Sequence, residues 1–480
     1  METLTGEQFV KILTSKEFSV LEDFNVELSM MLNVDLEKVN LNFSFSNITF
    51  SGKTLRFYKS KEAPLHIINF ENCTFLNDIH FANCNAQKIN FKSNSFNCNS
   101  FKINDCRILD FSFKDDNIFK KGNLEIDKCE FESFFEVEII KFEGSSSLKI
   151  KESTFNCSVS IIDCEINQSI ISHCIFKEHF DFFGNKSNHS NNSSFFNRCE
   201  FNHSSFFKTK FNNDTHFADC KFLNVTKFES TGDEIKTVLR FDDCDFLNQV
   251  SFNKSRIHKI LFNNLKFYDI VSLQETYFDI IEIDRTIFEK QANFDDIQIK
   301  QIYNCNRKTI RTIKLQLQKA ENKIDYNKFR VYEFNAYRDD IKKKLKEFEK
   351  DKDHLNHRVR EPIQLKRDDF ILWISDVVSE YGTDWKRALK FTLLWGSIIY
   401  LFFYPIENYN HQLELDNWDN WTRLISGFFR FFLVTDFYNP LENDRIYLTN
   451  PLSWIIFIIG KIVIAFGIYE MIQSFRKFKA

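Results

Sequence analysis

FADCKF, Phe217 to Phe222, and FDDCDF, Phe241 to Phe246, are two copies of one pattern: large apolar, two polar, Cys, any residue, large apolar. Other copies read FENCTF (Phe70 to Phe75), INDCRI (Ile103 to Ile108), IDKCEF (Ile126 to Phe131), ISHCIF (Ile171 to Phe176) and FNRCEF (Phe196 to Phe201). The Cys position forms a ladder, Cys84, Cys106, Cys129, Ser153, Cys174, Cys199, Cys220, Cys244, Leu265 and Thr286, in steps of 21 to 25 residues. Self-similarity at such a period marks a solenoid. A second set, Cys73, Asn94 and Cys164, lies about ten residues out of step, so each coil has at least two similar faces.

Apolar residues five apart match neither the 3.6 period of a helix nor the period of 2 of a strand. They do match a chain that turns a corner every five residues, with four sides to a coil and about 4.8 Å between coils. The abundant Phe, 58 against 11 Gly and 5 Pro, would then stack along the axis. The small residue two before each Phe also faces inward, where Cys serves as a compact hydrophobe. Roughly ten coils, Phe43 to about Ile299, predict a rod on the order of 50 Å, with FGNKSNHSNNSS (Phe183 to Ser194) bulging at a corner.

The small residue two places before a central Phe or Leu resembles the motif of the pentapeptide-repeat family. This chain departs from it in using Cys more than Ala and in its longer coils. The resemblance implies a right-handed, four-sided parallel β-helix.

Beyond Cys305 the period changes. Ile310, Ile313, Leu317, Ala320 and Ile324 follow three-four spacing, as do Phe334, Tyr337, Ile341, Leu345 and Phe348, which predicts amphipathic helices. The lysine run Lys342 to Lys346 reads as a solvated face or a contact with anionic lipid. FILWISDVV, Phe370 to Val378, fits a short helix lying at a membrane interface. FRVYEFNAYRDDI (Phe329 to Ile341) and YGTDWKRAL (Tyr381 to Leu389) resemble the neck of a bacterial membrane-bound subgroup of pentapeptide-repeat proteins. That resemblance implies a channel-like two-helix domain downstream.

Ala388 to Pro405 and Pro451 to Met471 are each close to the twenty residues that cross a bilayer. Lys386, Arg387 and Lys390 flank the first, and Arg476, Lys477 and Lys479 follow the second. The positive-inside rule then puts both ends, and the solenoid, in the cytoplasm of a bacterial inner membrane. The opening METLTGEQFVKILTSKEF has no apolar core of a secretory signal. Reduced, buried thiols agree with that compartment, and the sequon Asn72-Cys73-Thr74 is read as chance. The organisation expected is a helical cap over 1–40, the solenoid over 41–300, a neck with an interfacial helix over 301–386, and a membrane hairpin over 387–480.

Between the spans, Trp421 to Pro440 is amphipathic and too short and charged to cross, and 421–438 is expected to be a re-entrant or amphipathic segment. A potassium filter needs glycine-rich carbonyl geometry, and none lies between Gly427 and Gly460. Lys461 would sit near the bilayer centre, where a charge is costly. It has three readings: lining a pore, pairing with an acid such as Asp436, or reaching a headgroup. Arg430 joins Lys461 and Asp436 as an intramembrane polar candidate. Ser453, Gly460 and Gly467, seven apart, with Gly396 on the other span, form a small-residue stripe suited to close helix packing and assembly.

Catalysis has little support. No phosphate loop, nucleophile elbow or zinc helix motif occurs. His354 and His357 lie in a charged linker, and Asp242, Asp243 and Asp245 read as a solvent face. The twelve cysteines lack the spacing of a metal site, and no cofactor is expected. A net charge of -4 makes nucleic-acid binding, or mimicry of DNA, a weak reading. The functions that remain are a cytoplasmic recognition or assembly module on an oligomeric, channel-like membrane domain, or a non-conducting anchored scaffold. Either implies a lipid bilayer, a homo-oligomer and a protein partner or ligand on the β-helix.

Overall fold

Corners decide the coil. In the computed structural model Asn264, Glu275, Arg285 and Asp296 hold φ of 55°, 53°, 45° and 56°, the left-handed region. Alternate corners turn without it. Between corners, side chains two apart point inward: Leu265 and Phe267, Val271 and Leu273, Thr276 and Phe278, Ile281 and Ile283, all buried. Four such pairs make one coil, and the next begins in register, with Ile260 beside Ile281. The structure describes residues 2–15, 20–39, 42–58, 66–186, 194–211, 214–232, 237–350, 360–408, 418–442 and 445–476. The bulge expected at Phe183 to Ser194, the pair His354 and His357, and Lys477 and Lys479 lie wholly or partly outside these residues.

The result is a parallel β-solenoid of about twelve turns, with rungs of about 23 residues. One column of neighbours runs Leu21, Phe45, Phe70, Phe91, Phe113, Val137, Ile161, Phe182, each one coil from the next. The Phe that ends the repeated motif forms its own column. Phe131, Phe155, Phe176, Phe201, Phe222, Phe246, Phe267 and Phe288 stack with centroids 4.5 to 5.2 Å apart and planes within 14°. That separation equals the spacing of the strands carrying them, so one repeat serves both the backbone ladder and the aromatic core.

The cysteine ladder runs in register beside this column. The amide after each Cys in one coil donates to the Cys carbonyl of the coil before: Arg107 N to Cys84 O (2.9 Å), Glu130 N to Cys106 O (2.8 Å), Lys221 N to Cys199 O (2.9 Å). All twelve cysteines are free and buried. Burial pushes the thiols of Cys73, Cys98 and Cys164 up to about 11, about 12 and about 12. A thiol raised in the fold stabilises it fully below its ordinary value of 9.0 and loses that contribution as pH climbs through the raised value. Because all twelve thiols are buried, native protein at pH 8 is expected to resist maleimide labelling, and these three raised thiols should lower the melting temperature above about pH 9. Intact mass and melting scans check both.

The second face uses amides. Cys73 N donates to Asn94 Oδ1 (2.8 Å), Asn94 N to Asn117 Oδ1 (2.9 Å), and Asn94 Nδ2 to Phe70 O (3.0 Å). Further along, Cys164 N donates to Asn185 Oδ1 (2.8 Å). Each buried side chain thus satisfies backbone groups that a corner leaves open. One corner is costly: Ile139, β-branched and 42 % exposed, sits at φ 52°. Ile139→Asn is expected to stabilise the chain by about 1 kcal/mol, read by chemical denaturation.

The solenoid begins earlier than the expected boundary at residue 41. Among the described residues of the first forty, only Gly6–Thr14 (α1) is α-helical, apart from one short 3-10 turn. Strands Glu2–Thr5, Phe24–Leu28 and Leu32–Asp35 already pair in parallel with later coils. These coils have Val26 and Val34 where the next ones have Phe50 and Phe57, so the motif does not reveal them. α1 closes the end of the core: a Thr5–Gln8 capping box starts it, and Phe9 packs on Phe45 and Phe50.

At the far end, Arg307–Lys319 (α2) covers the last coil with Ile310, Ile313 and Leu317. Thr309 Oγ1 accepts from Ile283 N (2.7 Å) and Gln316 Oε1 from Ala292 N (3.4 Å). Both open ends, where unpaired strands invite association, are thereby covered. The three-four stripe expected to run on to Ile324 stops at Lys319, because Glu321 turns left-handed (φ 57°), and Ile324 is exposed.

The second unit, residues 321–480, is helical. Its helices are Lys323–Lys350 (α3), Arg360–Ser379 (α4), Trp385–Glu407 (α5), Trp418–Phe432 (α6) and Pro451–Arg476 (α7). Arg338 of α3 ties α4 through Asp369 (3.0 Å) and Asp376 (3.3 Å). α4 is longer than the interfacial segment expected from Phe370 to Val378. α5 and α7 pack together and are long and apolar enough to cross a membrane. Only 28 % and 33 % of their most apolar windows are buried, unlike the core helix of a soluble protein.

Candidate functional site

The polar groups of the hairpin gather where α6 ends. A helix leaves its last carbonyls without internal partners, and they are usually closed by a glycine or asparagine. After α6 comes Leu433-Val434-Thr435-Asp436, which has neither. A donor arrives instead from the middle of α7. Lys461 Nζ donates to Leu433 O (2.6 Å), Phe431 O (3.0 Å) and Arg430 O (3.4 Å). A cation at a helix C-terminus also meets the negative end of the helix dipole. The ammonium lies 4.7 Å from the Phe457 ring centroid and 5.7 Å from that of Phe431, close enough for cation–π attraction.

Lys461 is 4 % exposed. Within the chain its three hydrogen-bond partners are backbone carbonyls. Asp436 pairs with Arg430 (3.5 Å) instead. Arg430 also donates to the carbonyls of Glu442 and Pro440, holding the segment that follows α6 back against it. Arg423 repeats the device one face along, reaching Leu441 O (3.3 Å) and the Glu442 carboxylate (2.5 Å). The segment 421–438, expected to be re-entrant or amphipathic, is helical only as far as Phe432, and the rest is turns and irregular chain held by arginines.

The small-residue stripe is filled by the chain itself. A Cβ on Gly467 would stand 2.0 Å from Thr392 Oγ1, one on Gly460 2.5 Å from the Phe431 ring, and one on Gly396 2.4 Å from Phe432. Ser453 is buried as well. These positions let α5, α6 and α7 approach closely within one chain, the helix packing that the stripe suited. Tyr400 Oη donates to Leu424 O (2.7 Å) and closes the remaining gap between α5 and α6.

At the other end of α7, Glu470 is buried and accepts from Ser379 Oγ, which in turn accepts from Gly382 N (2.7 Å). Gly382 has φ 73°, and a Cβ there would meet Gln473. Arg330 of α3 donates to Tyr381 O (2.8 Å), and Tyr381 Oη donates to Asn335 Oδ1 (3.0 Å). The α4–α5 turn is thus fixed from both α3 and α7. Sequence reasoning missed Glu470 and Ser379, although a lone acid in an apolar helix was a signal.

No three His, Cys, Asp or Glu side chains converge as a metal site among the described residues. On the solenoid, charges alternate between coils: Lys92 meets Glu71 (3.0 Å), and Glu125 is shared by Lys102 (3.2 Å) and Lys149 (3.1 Å). Asp242 and Asp243 accept from Asn263 (3.0 Å) and Asn264 (2.5 Å) of the next coil. Comparison with protein-family models, curated proteins and solved structures finds no match for the chain.

Proposed function

We propose that the chain is a membrane-anchored scaffold: a β-solenoid of pentapeptide-repeat type, on the cytoplasmic side, whose C-terminal hairpin holds it in the bilayer without conducting. The observation that carries this reading is the division of side chains in the hairpin. Leu393, Leu394, Leu401 and Phe402 of α5 and Ile455 and Ile462 of α7 face outward, as lipid contact requires. Lys461, the residue that would line a pore, is turned inward onto carbonyls. The exposed Phe370, Ile371, Trp373 and Val377 of α4 suit the membrane surface.

The inward pairs, with a small residue two places before Phe, support the pentapeptide-repeat assignment. Mixed, paired charges along the coils favour protein recognition over mimicry of DNA. With α1 and α2 over its ends, the solenoid would bind along its sides. Ion-loaded liposomes holding the full chain test the reading. Tight liposomes, with flotation lost in a chain ending before Arg387, are expected. Leakage that changes in Lys461→Leu would overturn the anchor in favour of an oligomeric pore.

A further inference from the structure

At the foot of α5 the helical unit has a cleft of about 480 Å³, within the range of small-molecule sites, about 300–1,000 Å³. Val331 and Tyr332 of α3 and Trp385 of α5 form its apolar and aromatic wall. Lys328 and Lys386 supply two positive charges; Glu380 and Asp384 supply two negative ones, with Arg387 3.9 and 3.3 Å from them. We propose that this cleft holds the head group of phosphatidylethanolamine. The assignment rests on the membrane reading above.

The level is that of a bilayer interface. Trp385 opens the apolar helix and stacks on Phe475 near the end of α7, centroids 5.5 Å apart, and paired aromatics sit at the headgroup level of membrane helices. The charges choose among lipids. Asp384 already caps α5, accepting from Lys386 N (2.9 Å) and Arg387 N (3.2 Å). The helix end is therefore not an anion site, and since Lys328 already pairs with Asp325 (2.8 Å), Lys386 is the cation that holds the phosphate. Lys386 lies with its ammonium 5.9 Å from the Trp385 ring centroid, at the rim of the cleft.

Two carboxylates beside it disfavour a lipid that is anionic overall. They favour one that brings its own cation. A primary ammonium offers three N–H donors to Glu380, with Trp385 and Tyr332 beside it for cation–π contact. A quaternary ammonium has no N–H to give, so phosphatidylcholine loses the charge-assisted bond.

The test is native mass spectrometry of the full chain released from nanodiscs with equal amounts of phosphatidylethanolamine, phosphatidylcholine and phosphatidylglycerol. Phosphatidylethanolamine is expected to be retained about tenfold over the other two. Glu380→Gln should bring it down to the phosphatidylcholine level, and Lys386→Met should lower retention of all three. Equal retention by the unaltered chain, or a preference untouched in Glu380→Gln, overturns the site alone. A chain that never enters the nanodisc overturns the membrane reading and the site with it.

Discussion

Phe222→Ala is expected to cost the solenoid about 3–5 kcal/mol. Phe222 is fully buried, with Phe201 stacked 5.1 Å away on one side and Phe246 4.5 Å away on the other. Its removal takes two aromatic contacts and leaves a void that neighbouring coils, fixed by their ladder hydrogen bonds, fill poorly. Each coil touches only its neighbours, so the damage should stay local. Hydrogen exchange should accelerate in the amides of coils between Phe201 and Phe246 and remain slow around Phe75 and Phe96. A loss of protection spread evenly over the solenoid would contradict the one-dimensional picture.

Lys461→Met should destabilise the hairpin by about 3 kcal/mol. Methionine keeps most of the volume but donates nothing to the carbonyls of Arg430, Phe431 and Leu433. A buried acceptor stripped of its partner costs about 1–3 kcal/mol. The melting temperature in detergent should fall, and proteolysis should increase in the clamped stretch 433–442. Lys343→Met on exposed α3 should change neither. An unchanged melting temperature in Lys461→Met would mean that the lysine does not hold the end of α6.

The solenoid was legible because its repeat is local. Cys220-x-Phe222 and Cys244-x-Phe246 each place two inward side chains on one side of a coil, so spacing alone implies burial. The first coils escaped because Val26 and Val34 do the same work without a recurrent signature. Asn117 and Asn185 escaped for a different reason: asparagine reads as surface, and its ladder exists only between coils more than twenty residues apart. The apolar spans were visible in composition. The partners of Lys461 were not, because its carbonyls lie twenty-eight to thirty-one residues away and belong to the backbone. What sequence did offer was a helix end, Phe431-Phe432-Leu433, without a closing glycine.

The proposed anchor requires the hairpin to cross a bilayer with α6 and α3 on opposite sides. Because all twelve native cysteines are buried, single cysteines placed at exposed Thr422 of α6 and Lys343 of α3 can report their side to a membrane-impermeant maleimide in intact spheroplasts. Thr422→Cys is predicted to be labelled at once, and Lys343→Cys only after lysis. Both labelled only after lysis, or both labelled without it, would contradict a membrane-spanning hairpin.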